Sequence, residues 1–316
     1  MRGALGWASL TAVLVVLVLM PWIASPTLIQ FGITTLLLAS VAQAWNIIGG
    51  YTGYASFGNS VFYGLGSYGT AVCMVQWDLP FGVGLGFGAG LAVLFALLLG
   101  LPVLRLRGHY FAIATLALAL AMTGVVSNLE IAGRNIGLVL PLWRGDALFY
   151  ELSLGLLTLV TLVVLWISRS RFGFGLVAIR EDEDAAATMG VHTTLYKAAA
   201  FMLAGLFTAL AGGIHAYWIT FIDPASAFDI ALNVKMIIMT IFGGAGSVLG
   251  PLIGTLLLTS ISEMLSTEVS TGASLFFGLV IVVAVIFMPR GLVDAMRHAR
   301  RLGWRYLSDH LESHRL

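Results

Sequence analysis

Charge is scarce in this sequence: only 10% of the 316 residues are Asp, Glu, Lys or Arg, against about 25% in soluble domains. Hydrophobic residues make up 59%. Too few polar side chains remain to cover a water-soluble surface, so the composition predicts a protein that crosses a membrane several times. The 16 basic and 15 acidic residues nearly cancel, which excludes the overall basic charge expected of a nucleic-acid-binding protein.

Side chains that carry catalysis or bind metals are also rare. The single cysteine, Cys73, excludes an internal disulfide and a multi-cysteine zinc or iron–sulfur site. The two lysines do not follow glycine, so the G-x-x-x-x-G-K-[ST] phosphate loop is missing, as are the H-E-x-x-H and G-x-S-x-G motifs. We therefore expect no metal site, no bound cofactor and no catalytic residues. A stand-alone channel or an intramembrane enzyme remains an alternative.

Long apolar runs, in contrast, are abundant. A membrane-spanning helix needs about 20 apolar residues. Between 228 and 262 two shorter apolar pieces flank a glycine-rich stretch, and they predict either two short crossings or one broken hairpin. We expect an all-α membrane bundle of about 8–10 transmembrane segments with glycine-rich broken helices. Besides the two pieces between 228 and 262, the long apolar runs are 4–24, 28–48, 60–77, 81–103, 109–128, 152–168, 198–220 and 273–288.

The basic residues indicate the orientation, because Lys and Arg accumulate in cytoplasmic loops. Ten crossings with both termini inside leave only Arg134 and Arg144 outside and Lys235 within a span. We expect residues 1–292 to form the transmembrane domain and 293–316 a basic cytoplasmic tail. The thirteen basic residues predicted to be cytoplasmic are Arg2, Arg105, Arg107, Arg169, Arg171, Arg180, Lys197, Arg290, Arg297, Arg300, Arg301, Arg305 and Arg315.

Glycine is frequent, with 37 residues, and much of it is spaced to form small helix faces. Small faces let helices approach closely in lipid, where burying apolar side chains gains little. The faces around Gly84 and Gly88, with Gly82, Gly86 and Gly90 beside them, therefore predict tight helix packing.

Two glycine-rich stretches interrupt the apolar helices in a related way. Residues 47–60 and 241–251 both follow an apolar helix with an aliphatic-x-Gly-Gly pattern. Non-helical backbone at membrane depth is tolerated where protein or a water-filled cavity satisfies it, so such breaks indicate a transport pathway. Ordinary cytoplasmic turns are the alternative. The predicted pathway residues are Tyr51, Tyr54, Ser56, Asn59, Gly243, Gly244, Gly246 and Ser247.

Lys235 is the one basic residue predicted inside a span. A charge at membrane depth is a functional candidate by default. The alternatives are a side chain that snorkels to the outer interface or a structural pair with Asp229 or Asp223.

The longest basic loop, residues 168–198, carries an acidic run followed by alanines, Met189 and Gly190. Acids at the start, alanine in the middle and glycine after the end predict a short helix. Either it is a solvated linker or, since this chain lacks the means to hydrolyse ATP, it docks a separate ATPase. The predicted coupling residues are Arg180, Glu181, Asp182, Glu183, Asp184, Met189 and Gly190.

Four ordered blocks, residues 45–53, 104–116, 178–186 and 242–251, resemble LivM-type permeases of bacterial branched-chain amino acid ABC transporters, within the superfamily of ribose, urea and amide permeases. The resemblance covers about 44–292. It implies a type II-like ABC importer permease in the inner membrane that works by alternating access with a sister permease, two cytoplasmic ATPases that use ATP and Mg, and a periplasmic binding protein.

Three positions depart from the pattern of that family. The external loop at 132–138 lacks the usual Thr-Gly-Gly, Lys235 stands where an acid is expected, and Asn59 replaces a common histidine. The resemblance therefore implies branched-chain or other apolar amino acids as solutes, with urea, short amides or another small solute as the alternative.

Overall fold

The fold comes from a computed structural model, which describes residues 17–143, 145–268 and 292. The predicted span 273–288, the tail 293–316 and most of the span 4–24 lie outside the described residues. A helical segment over residues 17–23 comes first. The main helices are α1 (Pro26–Trp45), α2 (Asn59–Gln76), α3 (Phe81–Leu98), α4 (His109–Asn128), α5 (Asp146–Arg169), α6 (Arg171–Glu181), α7 (Glu183–Thr188), α8 (Thr193–Ile219), α9 (Ile230–Gly243) and α10 (Gly250–Glu268).

The structure confirms the all-α membrane bundle. Six helical segments among the described residues are long and apolar enough to span a bilayer: Pro26–Tyr51, Phe81–Leu98, His109–Asn128, Asp146–Arg169, Thr193–Ile219 and Pro224–Gly243. Helix α2 is not among them, because it contains asparagine, serine and tyrosine between its apolar residues. Nearly all of α2 is buried by its neighbours, so these side chains face protein and not lipid.

Region 228–262 consists of two helices packed as a hairpin. Helix α9, preceded by the single turn Pro224–Ala227, ends at Gly243, and α10 begins at Gly250 after a short loop. A Cβ built on Gly243 would collide with the Gly250 carbonyl and come within 3.0 Å of the Gly254 nitrogen. Glycine is therefore needed where the two helices cross.

Glycine also sets the packing of α2 between α3 and α8. A Cβ on Gly66 would overlap the Ala209 backbone of α8, and a Cβ on Gly88 of α3 would lie 2.6 Å from the Gly66 carbonyl oxygen. The predicted tight packing of the small face of α3 is confirmed at Gly84 and Gly88, which contact α2. At Gly82, Gly86 and Gly90, in contrast, no atom of the described chain lies within 4 Å of a built Cβ.

This asymmetry gives a matched pair of variants. Gly88→Leu forces extra methylenes into a closed contact and is expected to cost about 1–3 kcal/mol or more, whereas Gly86→Leu projects outward and should stay within about 0.5 kcal/mol. Thermal unfolding of the purified chain in detergent measures both. Equal stability of the two variants would contradict the packing of α3 on α2.

The loops meet at two ends of the bundle. Residues 46–58, 104–108, 168–197 and 244–249 contact one another at what we call the loop end. At the opposite end, two short antiparallel strands, β1 (Leu138–Val139) and β2 (Phe221–Ile222), pair Leu138 with Ile222. Both glycine-rich breaks therefore lie at the same end as the predicted coupling loop.

Candidate functional site

The two glycine-rich breaks are in direct contact, although about 200 residues separate them. After α1, residues Asn46–Tyr51 form a π-helical turn, and Asn46 is fully buried. Its side-chain oxygen accepts a hydrogen bond from Gly246 N (2.8 Å), and its amide donates to the Ser247 carbonyl (2.9 Å). One turn earlier, Gln43 donates to the Val248 carbonyl (2.9 Å). Amides at the end of α1 thus satisfy the backbone of the second break.

A third buried amide connects α9 to the first break. Asn233 donates to the Phe57 carbonyl (2.6 Å) and to the Ser60 hydroxyl (2.7 Å), and its oxygen accepts from Ser60 N (2.8 Å). These bonds fix the start of α2. The two breaks and α9 consequently form one hydrogen-bonded unit.

Arg180, at the end of α6, reaches into this unit. Its guanidinium donates to the Gly50 carbonyl (3.1 Å) and also to the Glu181 carboxylate (2.8 Å). A Cβ on Gly246 would lie 2.8 Å from the guanidinium, and one on Gly53, which has φ +77°, would lie 2.6 Å from Arg180 Cγ. Both breaks must therefore lack side chains where Arg180 enters.

Next to Arg180 lies a hydrogen-bonded cluster built on Lys197 and Glu183. Lys197 is 3% exposed, and its ammonium contacts Glu183 Oε1 (2.6 Å), the Leu104 carbonyl (2.9 Å) and the Tyr54 hydroxyl (3.1 Å). The Tyr54 hydroxyl in turn donates to Glu183 Oε2. This cluster therefore joins α7, the start of α8, the first break and the loop before α4.

At the edge of the cluster, Arg107 holds the Asp184 carboxylate through two 2.9 Å hydrogen bonds and lies 3.7 Å from Glu183. Because Arg107 and Asp184 are mostly exposed, water screens this outer pair, and it contributes less than the buried pair. The outer pair closes the cluster on its solvent side.

Burial raises the pKa of the Glu183 carboxyl, but the hydrogen bonds from Lys197 and Tyr54 and the nearby positive charges outweigh burial, so the net pKa lies below its ordinary 4.5. Its contribution to stability is present above that ordinary value and is lost as the pH falls through the lowered one. Burial and the neighbouring Glu183 raise the pKa of Tyr54. At neutral pH, therefore, Glu183 is ionised and Tyr54 is neutral.

The acidic loop helix is shorter than its composition predicts, since Asp182 is extended and separates α6 from α7. The Asp182 carboxylate caps α7 by accepting from Ala185 N (2.9 Å). The predicted glycine stop is confirmed, because Gly190 has φ +87° and donates to the Ala187 carbonyl. Glu183 and Ala186 face inward, whereas Met189 is 85% exposed. Helix α7 thus has one face tied to the bundle and one free of it.

The remaining predicted pathway residues are buried within this chain. Ser56 accepts from Gly58 N (3.2 Å), and Asn59 donates to Thr208 (3.3 Å). Tyr51 lines a cavity beside α5 together with Gly246 and Ser247. The structure places all the predicted residues in or next to the breaks, while their role in a pathway remains a prediction.

Lys235 lies away from the breaks, exposed on α9. It lines a cavity of about 340 Å³ between α1, α9 and α10, which also contains Gln30, Thr34 and Glu263. Asp223 and Asp229, the predicted partners of Lys235, cap helix starts by accepting from Ser226 N (3.0 Å) and Ala231 N (2.8 Å).

In the part of the chain that the structure describes, no three His, Cys, Asp or Glu residues could together hold a metal ion.

Sequence reasoning did not select Asn46, Gln43 or Asn233, and it counted Lys197 only as a loop charge. The first three are amides within otherwise apolar helices, which is a signal that membrane sequences carry, because polar groups there need partners. The burial of Lys197 depends on how α8 packs against its neighbours, and the local sequence around Lys197 does not indicate that burial.

Comparisons with known proteins agree with this architecture. Residues 27–286 match the family described as branched-chain amino acid transport system / permease component. The chain is 27% identical, over 93% of its length and 76% of the relative's, to the high-affinity branched-chain amino acid transport system permease protein LivM of Salmonella typhimurium, and equally to that of Escherichia coli.

The autoinducer 2 import system permease protein LsrC of Yersinia enterocolitica is also 27% identical, over 62% of this chain and 58% of LsrC. No solved structure matches the chain. The family match covers most of the chain, including both breaks and the coupling loop. This integral membrane protein therefore belongs to the family of permease components of branched-chain amino acid transport systems, and it is a permease component of an ABC-type transporter.

Proposed function

We propose that the chain carries branched-chain or other apolar amino acids inward, powered by ATP and Mg used in partner subunits. The similarity to LivM over almost the whole chain supports this solute class. The similarity to LsrC supports a second candidate, a small polar solute of another class. The solute pathway that we propose runs along the two breaks and contains Tyr51, Tyr54, Ser56, Asn59, Gly243, Gly244, Gly246 and Ser247.

The proposed assembly contains a sister permease, two ATPases and a periplasmic binding protein in a bacterial inner membrane. The distribution of charge supports an orientation with the loop end and both termini in the cytoplasm. Arg107, Arg169 and Arg180 lie at the loop end, whereas Arg134 lies with β1 at the other end.

The observation that carries the proposed ATP coupling is the two-faced helix α7. Glu183 ties its inner face to three segments, namely α8, the first break and the loop before α4, and Arg180 ties the preceding helix to the first break. Met189 and Gly190, which are exposed directly after its last residue, offer a contact to a partner. A movement that an ATPase imposes on α7 would therefore reach the breaks through buried contacts and not through a flexible loop.

Uptake by the reconstituted transporter tests the solute class. The chain is co-expressed with a sister permease, two ATPases and a binding protein encoded in the same genome, and the assembly is placed in vesicles containing ATP. We expect labelled leucine, isoleucine or valine to accumulate, with excess unlabelled amino acid abolishing the signal. Accumulation of urea, a short amide or a sugar-like solute without any branched-chain amino acid uptake would overturn the proposed solute class.

The docking face gives a separate prediction. Met189→Asp places a charge on the proposed ATPase contact and is expected to reduce ATPase co-purification by about tenfold, as the loss of ~1.4 kcal/mol would. Ile136→Asp is the matched control, because Ile136 is 84% exposed, close to the 85% of Met189, but lies at the opposite end. Equal ATPase retention by both variants would place the ATPase elsewhere.

A further inference from the structure

Residues 129–140 cross the end of the bundle opposite the loop end, and we call them the outer strap. The strap begins with the turn Glu130–Ala132 and ends with β1, which pairs with β2 directly after α8. Its side chains Ala132, Leu138 and Leu140 are buried. The turn and both strands contact α2. The strap therefore covers the end of α2 that is farthest from the first break.

Main-chain groups make the printed polar contacts between the strap and the bundle. Leu140 N donates to the Thr220 carbonyl (2.8 Å) beside the β1–β2 pair, and the Ile131 carbonyl accepts from Gln76 Nε2 (3.5 Å). No ion pair joins the strap to the rest of the described chain. The loop end, in contrast, is closed by the buried ionic cluster. Separating the strap from the bundle therefore leaves no buried charge without a partner.

The backbone is strained where the strap meets α8. Thr220, between α8 and β2, has φ +63°, which is an outlier for a β-branched residue. Such strain persists only where the surroundings enforce it, and it is typical of segments that move. The Thr220 carbonyl accepts the hydrogen bond from Leu140, so the strap helps to hold this conformation. Separation of β1 from β2 would let Thr220 relax.

A buried hydroxyl near this end of α2 has unused hydrogen-bonding capacity. Tyr68 lies about two turns before the end of α2, and its ring stacks on Phe228 with 6.0 Å between centroids. Among the described residues its hydroxyl has no hydrogen-bond partner. Buried polar groups normally have one. The Tyr68 hydroxyl can therefore serve a polar solute that reaches α2 from this end.

We propose that the outer strap is the outer gate of the solute pathway. The gate is closed in this structure and opens when β1 separates from β2, which exposes the end of α2 and the Tyr68 hydroxyl. A solute entering there follows α2 to Asn59, where this helix begins at the first break. The inference rests on the proposed import function, since alternating access needs a gate on each side of the solute.

A disulfide between the two strands tests the gate. Val139 and Phe221 lie opposite each other, beside the hydrogen-bonded pair of Leu140 and Thr220. They are therefore a non-hydrogen-bonded pair, whose Cα atoms lie about 4.5 Å apart, within disulfide range. Both are exposed, whereas the native Cys73 is buried. After oxidation of Val139→Cys/Phe221→Cys in the reconstituted transporter, we expect uptake to fall at least about tenfold, because a required opening is blocked, and to return on reduction.

The two single cysteine variants are the controls, because neither can form the cross-link, and oxidation should not change their uptake. Undiminished uptake by the oxidised double variant, or equal losses in the single variants, would overturn the gate. Absence of ATP-driven uptake by the wild type would instead contradict the proposed function. The second experiment needs neither solute nor ATP, so it tests the gate in that case also.

This experiment measures hydrogen exchange over residues 138–140 in the purified full chain. Thr220→Asn places a residue that tolerates the left-handed region at the strained position. Relief of the strain favours the closed strap, so exchange should slow by at least about fivefold. Asp78→Asn is the matched control, because Asp78 also has a positive φ, +50°, but lies in the turn between α2 and α3. Equal exchange in the two variants would overturn the role of Thr220 and, with it, opening at β1–β2.

Discussion

Replacing Lys197 with methionine is expected to abolish ATP-driven uptake and to lower the free energy of unfolding by about 3–5 kcal/mol. The change leaves the inward-facing Glu183 carboxylate without its ammonium partner, and the Leu104 carbonyl and Tyr54 hydroxyl also lose a donor. Thermal unfolding in detergent and uptake by the reconstituted transporter measure the two effects.

A double variant separates stability from coupling. Glu183→Gln added to Lys197→Met removes the uncompensated charge but keeps an acceptor for Tyr54, so most of the lost stability should return. Uptake should not return, because the ionic link between α7 and α8 is still broken. Recovery of uptake together with stability would show that the pair serves folding alone. Arg134→Met, which breaks the exposed pair with Glu130, is the control and should change little.

Asn46→Leu should have the second-largest effect, because one side chain joins the two breaks. Leucine has a similar shape but leaves the Gly246 amide and the Ser247 carbonyl without their partner. Each buried group left without a hydrogen bond costs about 1–3 kcal/mol. We expect uptake to be lost and hydrogen exchange over residues 244–249 to accelerate by about tenfold or more.

Asn128→Leu is the matched control for this change. Its amide donates to the Gly124 carbonyl at an exposed helix end, where water can replace the lost bond. Exchange over residues 244–249 should stay at the wild-type rate in the control. Equal exchange in the Asn46 variant and the wild type would show that the breaks do not depend on each other.

Local sequence predicted most of the helices. Helix α4 has the predicted bounds, and both glycine-rich breaks lie where the aliphatic-x-Gly-Gly pattern places them. Hydropathy succeeds here because a spanning helix must satisfy its own backbone and match the thickness of the membrane. The break at Asp182 was missed, because composition indicates that a segment is helical but does not indicate where two short helices separate.

The site itself was predicted as separate parts. Sequence reasoning assigned Tyr54 to a solute pathway and Glu183 to the ATPase contact, yet their side chains share a hydrogen bond. These residues are 129 positions apart, and their approach depends on how α7 packs against α2 and α8. Contacts over such separations are set by the tertiary packing, which local patterns do not contain.

Solute flux in vesicles that contain either this chain alone or the complete transporter is the most direct measurement of the central claim. With the chain alone we predict no flux in either direction, with or without ATP. The complete transporter should accumulate solute only with ATP, and it should fail with a partner ATPase that cannot hydrolyse it. Sustained flux through the lone chain would contradict the claim that partner ATPases drive the conformational change of this protein by acting on α7.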